Sequence, residues 1–155
     1  MNVGIIIYSQ TGNTLSVAEK VLDALADAGH TVTIDPVVLV EPRSREHPEF
    51  ALAKAPDPSP YDAVVLASYV EAFSLNPVMT RAMQEIGSLE SKRVLGLITQ
   101  AFPYRWMGGS RALKQMAKAA QAKGGEIQAS AVVNWMNKKR EQQIVEAVES
   151  LSGAL

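Results

Sequence analysis

The sequence has no cysteine in its 155 residues. This removes disulfide frameworks, thiolate zinc sites, iron–sulfur clusters and CxxC redox chemistry together, so any redox work requires an organic cofactor. Neither charge is in excess: 15 Lys and Arg face 16 Asp and Glu, a net charge of −1. Nucleic acid and acidic membrane surfaces are therefore not expected partners. No apolar run approaches the roughly 20 residues that cross a bilayer, and Met1–Tyr8 lacks the basic and apolar regions of a secretory signal. A soluble, cytoplasmic protein is the expectation. His30 and His47 stand far apart with no acids at ligand spacing, so no metal site is expected. Ser9 lacks the GxSxG setting of a nucleophile, and no side chain is expected to act as a catalyst. Aromatic residues are scarce, at 6%, which makes any cluster of them informative.

What is present is a composition of 47% hydrophobic residues with 10 Gly and 8 Pro. It suits a single domain over residues 1–155, able to bury roughly 68–70% of its unfolded surface without a metal or disulfide. Short β-rich runs alternate with helical stretches. Val3–Tyr8 is a continuous apolar strand of the kind buried on both faces of a parallel sheet. Residues Thr14–Ala28 place Leu15, Ala18, Val21, Leu22 and Leu25 at helical spacing, with Gly29 following as a C-terminal cap. Thr31–Leu39 reads as a strand, and its Asp35-Pro36 points to an edge position or an early end, with the sheet margin as the expected place. Glu41–Tyr61 holds five prolines and is a crossover with at most a short helix around Pro48–Lys54.

Ala63–Ser68 is the third strand, followed by a loop and a helix over Pro77–Ile86. Arg93–Thr99 is the fourth, with a loop and a helix over Gly109–Lys123. Glu126–Val133 is the fifth, and Glu141–Leu151 is a last amphipathic helix. Met79, Met83 and Met116 fall at helical spacings and read as core filler. Lys138-Lys139-Arg140 is a basic triplet that could dock a partner or an anionic ligand, although three charges ahead of a helix are usually a solvated turn. Five strands with helices between most of them predict a doubly wound α/β sandwich with right-handed crossovers.

Ligands in such a sheet sit beyond the carboxyl ends of the strands, where strand order reverses. The first loop there is Ser9-Gln10-Thr11-Gly12-Asn13-Thr14. Exposed N–H groups at the helix start, the helix dipole and the hydroxyls make a phosphate site without Lys or Arg, and Gly12 lets the chain approach the anion. A helix start capped by Thr14 or Asn13 is the plainer reading of the same residues. Neither a Walker A loop nor a GxGxxG turn is present.

The run Ser9-x-Thr11-Gly12-Asn13-Thr14 after an N-terminal strand, set in a five-strand α/β chain, resembles the phosphate loop of the flavodoxin family. The resemblance implies a flavodoxin-like three-layer sandwich: a five-stranded parallel sheet of order 2-1-3-4-5 with helices on both faces, the strand order that defines flavodoxin itself. It also implies noncovalently bound FMN, with the phosphate on Ser9–Thr14. The flavin ring would lie between the third-strand loop, with Ser68, Tyr69, Val70 and Phe73, and the fourth-strand loop.

That second loop contributes Thr99, Gln100, Ala101, Phe102, Tyr104, Trp106 and Gly109. Tyr104-x-Trp106-x-x-Gly109 resembles the family's aromatic loop, which makes Tyr104 the expected stacking wall, ahead of Phe102 and Trp106. The third-strand loop has no Trp, leaving Tyr69 or Phe73 for the inner face. Gln100-Ala101 replaces the family's Gly-Asp pair, and Arg105 adjoins Tyr104. A unit charge about 8 Å from the ring at an effective dielectric near 20 is worth about 2 kcal/mol, on the order of 90 mV for one electron. The scarcity of acids predicts a less negative second reduction step and weaker docking to basic partners than in an acidic flavodoxin. The expected activity is electron transfer between a reductase and an acceptor protein, by a monomer or weak homodimer. The alternative is an NAD(P)H-dependent FMN oxidoreductase of the quinone reductase type. A module that kept the fold without flavin is a third reading.

Overall fold

A computed structural model describes residues 1–155. Strand β1 (Asn2–Ile7) leads into helix α1 (Asn13–Asp27), and β2 (Thr31–Pro36) returns beside it. A crossover containing β3 (Val38–Leu39) and β4 (Leu52–Lys54) reaches β5 (Ala63–Glu71), which turns back as β6 (Ser74–Leu75). Then follow α2 (Pro77–Glu85), β7 (Arg93–Gln100), a 3-10 turn (Arg105–Met107), α3 (Gly109–Ala122), β8 (Ile127–Asn134) and α4 (Arg140–Ser152).

The five long strands are parallel and ordered β2-β1-β5-β7-β8. Counted in sequence, this is the expected order 2-1-3-4-5, with β6 added antiparallel to the tip of β5. The alternation of each strand supplies both faces of the sheet. Val3, Ile5 and Ile7 of β1 pack with Val17, Val21 and Leu25 of α1 and with Ile144 and Leu151 of α4. On the other face, Ile6, Leu66 and Ile98 pack with Met79 and Met83 of α2 and Met116 of α3. All three methionines are fully buried, as core filler should be. No helix is long and apolar enough to cross a membrane.

Three sequence expectations change, and the short helix allowed at Pro48–Lys54 is absent. The second strand stops at Pro36, which occupies the sheet edge, and Val38–Leu39 instead pairs antiparallel with Leu52–Lys54. No helix forms at Pro48–Lys54, where a proline-rich crossover favours extended backbone and Val40 N–H donates to the Ala51 carbonyl. In α1 the buried positions are Thr14, Val17, Ala18, Val21 and Leu25, with Leu15 and Leu22 only half-buried. The third strand runs past Ser68 to Glu71, so Tyr69 and Val70 belong to the strand and its loop shrinks to Ala72-Phe73.

Candidate functional site

The β1–α1 turn starts its helix without the side-chain cap that Thr14 or Asn13 would give. Gly12 is the N-cap, at φ 91°, and no side chain caps the helix. Asn13 and Thr14 are the first helical residues, so neither is the cap that the plainer reading assigned. The N–H groups of Thr11, Gly12, Asn13 and Thr14 donate to nothing within the chain, while Leu15 N–H reaches Ser9 Oγ at 3.3 Å. These are the orphan donors of a helix start, and the first turn carries no acid to answer them. Four free donors, a positive helix end and a left-handed glycine fit the phosphate of FMN.

Thr14 does other work. Its Oγ1 lies 2.8 Å from Thr99 Oγ1, with both residues buried, so α1 is pinned to the end of β7. Ser68, also buried, donates from Oγ to the Tyr8 carbonyl at 3.1 Å. Ser68 and Thr99 thus tie the strand ends to the turns through their hydroxyls. Gln100 is buried as well. Its Nε2 donates to the Tyr104 carbonyl at 2.6 Å and to Asn134 Oδ1 at 2.5 Å, bracing the aromatic loop, and its Oε1 has no partner.

Tyr69 is half-buried, stacked on Tyr8 with ring centroids 6.0 Å apart, and its hydroxyl donates to Gln10 Oε1 at 2.8 Å. Burial pushes the Tyr69 phenol up to about 12, with the neighbouring Tyr8 and Glu71 adding to the effect. Tyr69 is therefore a neutral hydrogen-bond donor tied to the β1–α1 turn. Beyond it, Arg43 grips Glu71 through two nitrogens, and Glu71 also accepts from Asn76 Nδ2 at 3.2 Å. Gln10, Thr11, Arg43, Ser44, Arg45 and Glu71 border a polar cleft of about 620 Å³ beside the turn.

The β5–β6 turn and the β7–α3 loop touch. Ala72 and Phe73 both have positive φ, 50° and 63°, in the two-residue turn between β5 and β6. That turn sets Phe73 parallel to Phe102, with centroids 5.5 Å apart. Gly108, at φ 123°, fits against it: a Cβ there would come 2.8 Å from Val70 Cγ1 and 2.9 Å from the Phe73 Cα. Tyr104 and Trp106 stack 6.2 Å apart and stand exposed, while Ala101 accepts a hydrogen bond from Met136 N–H. Gly109 is buried where α3 starts, against Val132 and Gln100. A flat ring between two walls needs roughly 7 Å, twice the contact distance of carbon atoms. The aromatic walls suit a flavin once Phe73 and Phe102 part, and the phosphate end suits it as it stands.

Sequence reasoning missed Tyr8, Gly108, Arg43 and Asn134. Tyr8 closes an apolar strand and reads as core; the Gly108-Gly109 pair was the available signal for a close approach.

No protein-family model matches the chain, and no curated protein matches it. Solved structures do. A flavodoxin of Streptococcus pneumoniae TIGR4 superposes with a TM-score of 0.67 at 18% identity, covering 100% of both chains. Oxidised Flavodoxin 2 from Bacillus cereus gives 0.69 at 15%, again covering 100% of both. An azoreductase from Bacillus anthracis gives 0.66 at 13%, covering 98% of this chain and 96% of that one. With the strand order and these superpositions together, the fold of this protein is flavodoxin-like.

Proposed function

We propose that the chain binds FMN noncovalently and passes electrons between a reductase and an acceptor protein. The observation that carries this reading is the β1–α1 turn, where four consecutive N–H groups lack partners around the left-handed Gly12. Thr11, Gly12, Asn13 and Thr14 would hold the phosphate, with Ser9 and Gln10 shaping the turn's approach. Tyr69, Val70 and Phe73 on one side, and Phe102, Tyr104 and Trp106 on the other, would flank the ring. Bound FMN supplies one- or two-electron transfer, and the protein supplies position and electrostatics. Tyr69 holds its proton through the working pH range and so keeps Gln10 in place. No side chain is required to donate or accept a proton.

A self-sufficient NAD(P)H oxidoreductase is the second reading, favoured by the polar cleft that carries Arg43 and Arg45 beside the phosphate turn. The test is an absorbance spectrum before and after adding FMN, then after adding NADPH without oxygen. Bands near roughly 370 and 450 nm that shift on binding support the flavin site. Bleaching by NADPH alone favours the oxidoreductase, and bleaching only with an added reductase favours the carrier. Absence of FMN binding overturns both.

A further inference from the structure

The net charge of −1 conceals two unlike parts. Residues 91–140 hold 10 of the 15 Lys and Arg but one acid, Glu126, and carry a net charge of +9; the rest of the chain carries −10. Of those ten cations only Arg140 meets a carboxylate, that of Glu141 at 3.3 Å. Arg111, Lys114 and Lys118 line the exposed side of α3, and Arg105, Lys138 and Lys139 stand exposed on the β7–α3 and β8–α4 connections. These two connections are tied together: Met136 N–H donates to the Ala101 carbonyl at 3.1 Å, and Asn137 Nδ2 to the Pro103 carbonyl at 2.8 Å.

The same connections carry the exposed apolar side chains of this edge. Trp106 is 77% and Met136 69% exposed, with Tyr104, Phe102 and Phe73 beside them. Single exposed apolar residues are ordinary; five on adjoining turns mark a contact surface. Four of the five are aromatics held in two parallel pairs, so little side-chain freedom remains to be lost on binding. Trp, Tyr, Met and Arg at the centre with Lys at the margin is the composition of a protein interface. No aliphatic wedge projects from it, as a membrane-inserting surface requires. The acidic remainder of the chain repels extended polyanions, whereas a compact partner feels the local field within a Debye length of about 8–10 Å.

We propose that the Trp106 face, framed by Arg105, Lys138 and Lys139, docks an acidic protein, which under the electron-transfer reading is the redox partner. The acidic docking partner thus replaces the basic one that an acidic flavodoxin would use. The test is an NMR titration of the full chain, with and without FMN, using cytochrome b5 as an acidic probe and cytochrome c as a basic one. Single-stranded DNA and phosphatidylglycerol vesicles are titrated in parallel.

The expected result is that cytochrome b5 shifts signals in 102–106 and 135–139. Its affinity should fall about tenfold or more in Lys138→Glu/Lys139→Glu, and likewise from about 20 to 300 mM salt. Trp106→Ala, at a site too exposed to affect folding, should weaken it as well. Preference for cytochrome c, tighter binding of DNA or vesicles, no binding of cytochrome b5, or indifference to the charge reversal overturns the proposal. Because binding is read without FMN too, failure of the flavin site leaves this result interpretable.

Discussion

The rings of Phe73 and Phe102 lie parallel, 5.5 Å between centroids and 7° between planes, and join the two turns between which a flavin ring would enter. Their separation cannot exceed that centroid distance, so the pair must open by about 1.5 Å to admit a flat ring between them. Opening it forfeits a stacking contact worth roughly 0.5–1.5 kcal/mol beyond burial. Phe73→Ala should therefore speed FMN association by about two- to tenfold, read by stopped-flow quenching of flavin fluorescence. An unchanged or slower association would show that the pair does not gate entry.

The same turn explains what the sequence did not reveal. Two-residue hairpins with positive φ at both central residues favour Asn-Gly or Asp-Gly, and Ala72-Phe73 carries neither signal. The third strand consequently read three residues short and its loop three residues long. The strands and the glycine-bearing β1–α1 turn were legible because hydrophobic runs and glycine positions are local signals, whereas the strand order came only with the resemblance to flavodoxin. The Thr14–Thr99 and Gln10–Tyr69 bonds span 85 and 59 residues and leave no local trace. The basic part was written plainly between Glu90 and Glu141, but the balanced total hid it. Ala72→Gly should relieve the left-handed strain at an exposed site, raising stability by up to about 1 kcal/mol after the greater unfolded freedom of glycine is subtracted. Urea denaturation reads the gain, and a loss would mean that the Ala72 backbone is unstrained.

The paired hydroxyls of Thr14 and Thr99 call for a double-mutant cycle. Thr99→Val leaves the Thr14 hydroxyl buried without its partner, which costs about 1–3 kcal/mol. Removing both hydroxyls, in Thr14→Val/Thr99→Val, should recover most of that loss, since no polar group is then stranded. Urea midpoints of Thr14→Val, Thr99→Val and the double variant give the coupling directly. Additive losses would show that the bond contributes nothing specific.

Two tyrosines make the alkaline limit of the fold predictable. Burial, reinforced by the 3.0 Å bond donated to Asp35, pushes Tyr61 up to about 12, and burial does the same for Tyr69. Both hold their protons longer in the folded chain than in the unfolded one, where phenols ionise near about 10. Their contribution is therefore full below about pH 10 and is lost as pH rises toward 12, because the unfolded chain releases protons first. Unfolding free energy should fall across that window, and Tyr61→Phe and Tyr69→Phe should each flatten the fall. Variants that track the parent would place the loss on other groups.

The phosphate turn offers the sharpest test of the cofactor. Thr11 is exposed at its tip, next to N–H groups that lack partners, and the turn has no cation of its own. A carboxylate introduced there sets a like charge against the phosphate. At about 8 Å and an effective dielectric near 20, one unit of each is worth about 2 kcal/mol. Thr11→Asp should thus weaken FMN by roughly 30-fold or more, while Thr11→Asn, similar in size and uncharged, should cost far less. Adding Tyr104→Ala to Thr11→Asp removes an aromatic wall and should abolish measurable binding. Fluorescence titration of FMN gives all three values, and an affinity indifferent to the Asp would place the phosphate elsewhere. Recovery of affinity by Thr11→Asp at high salt would identify the repulsion as electrostatic.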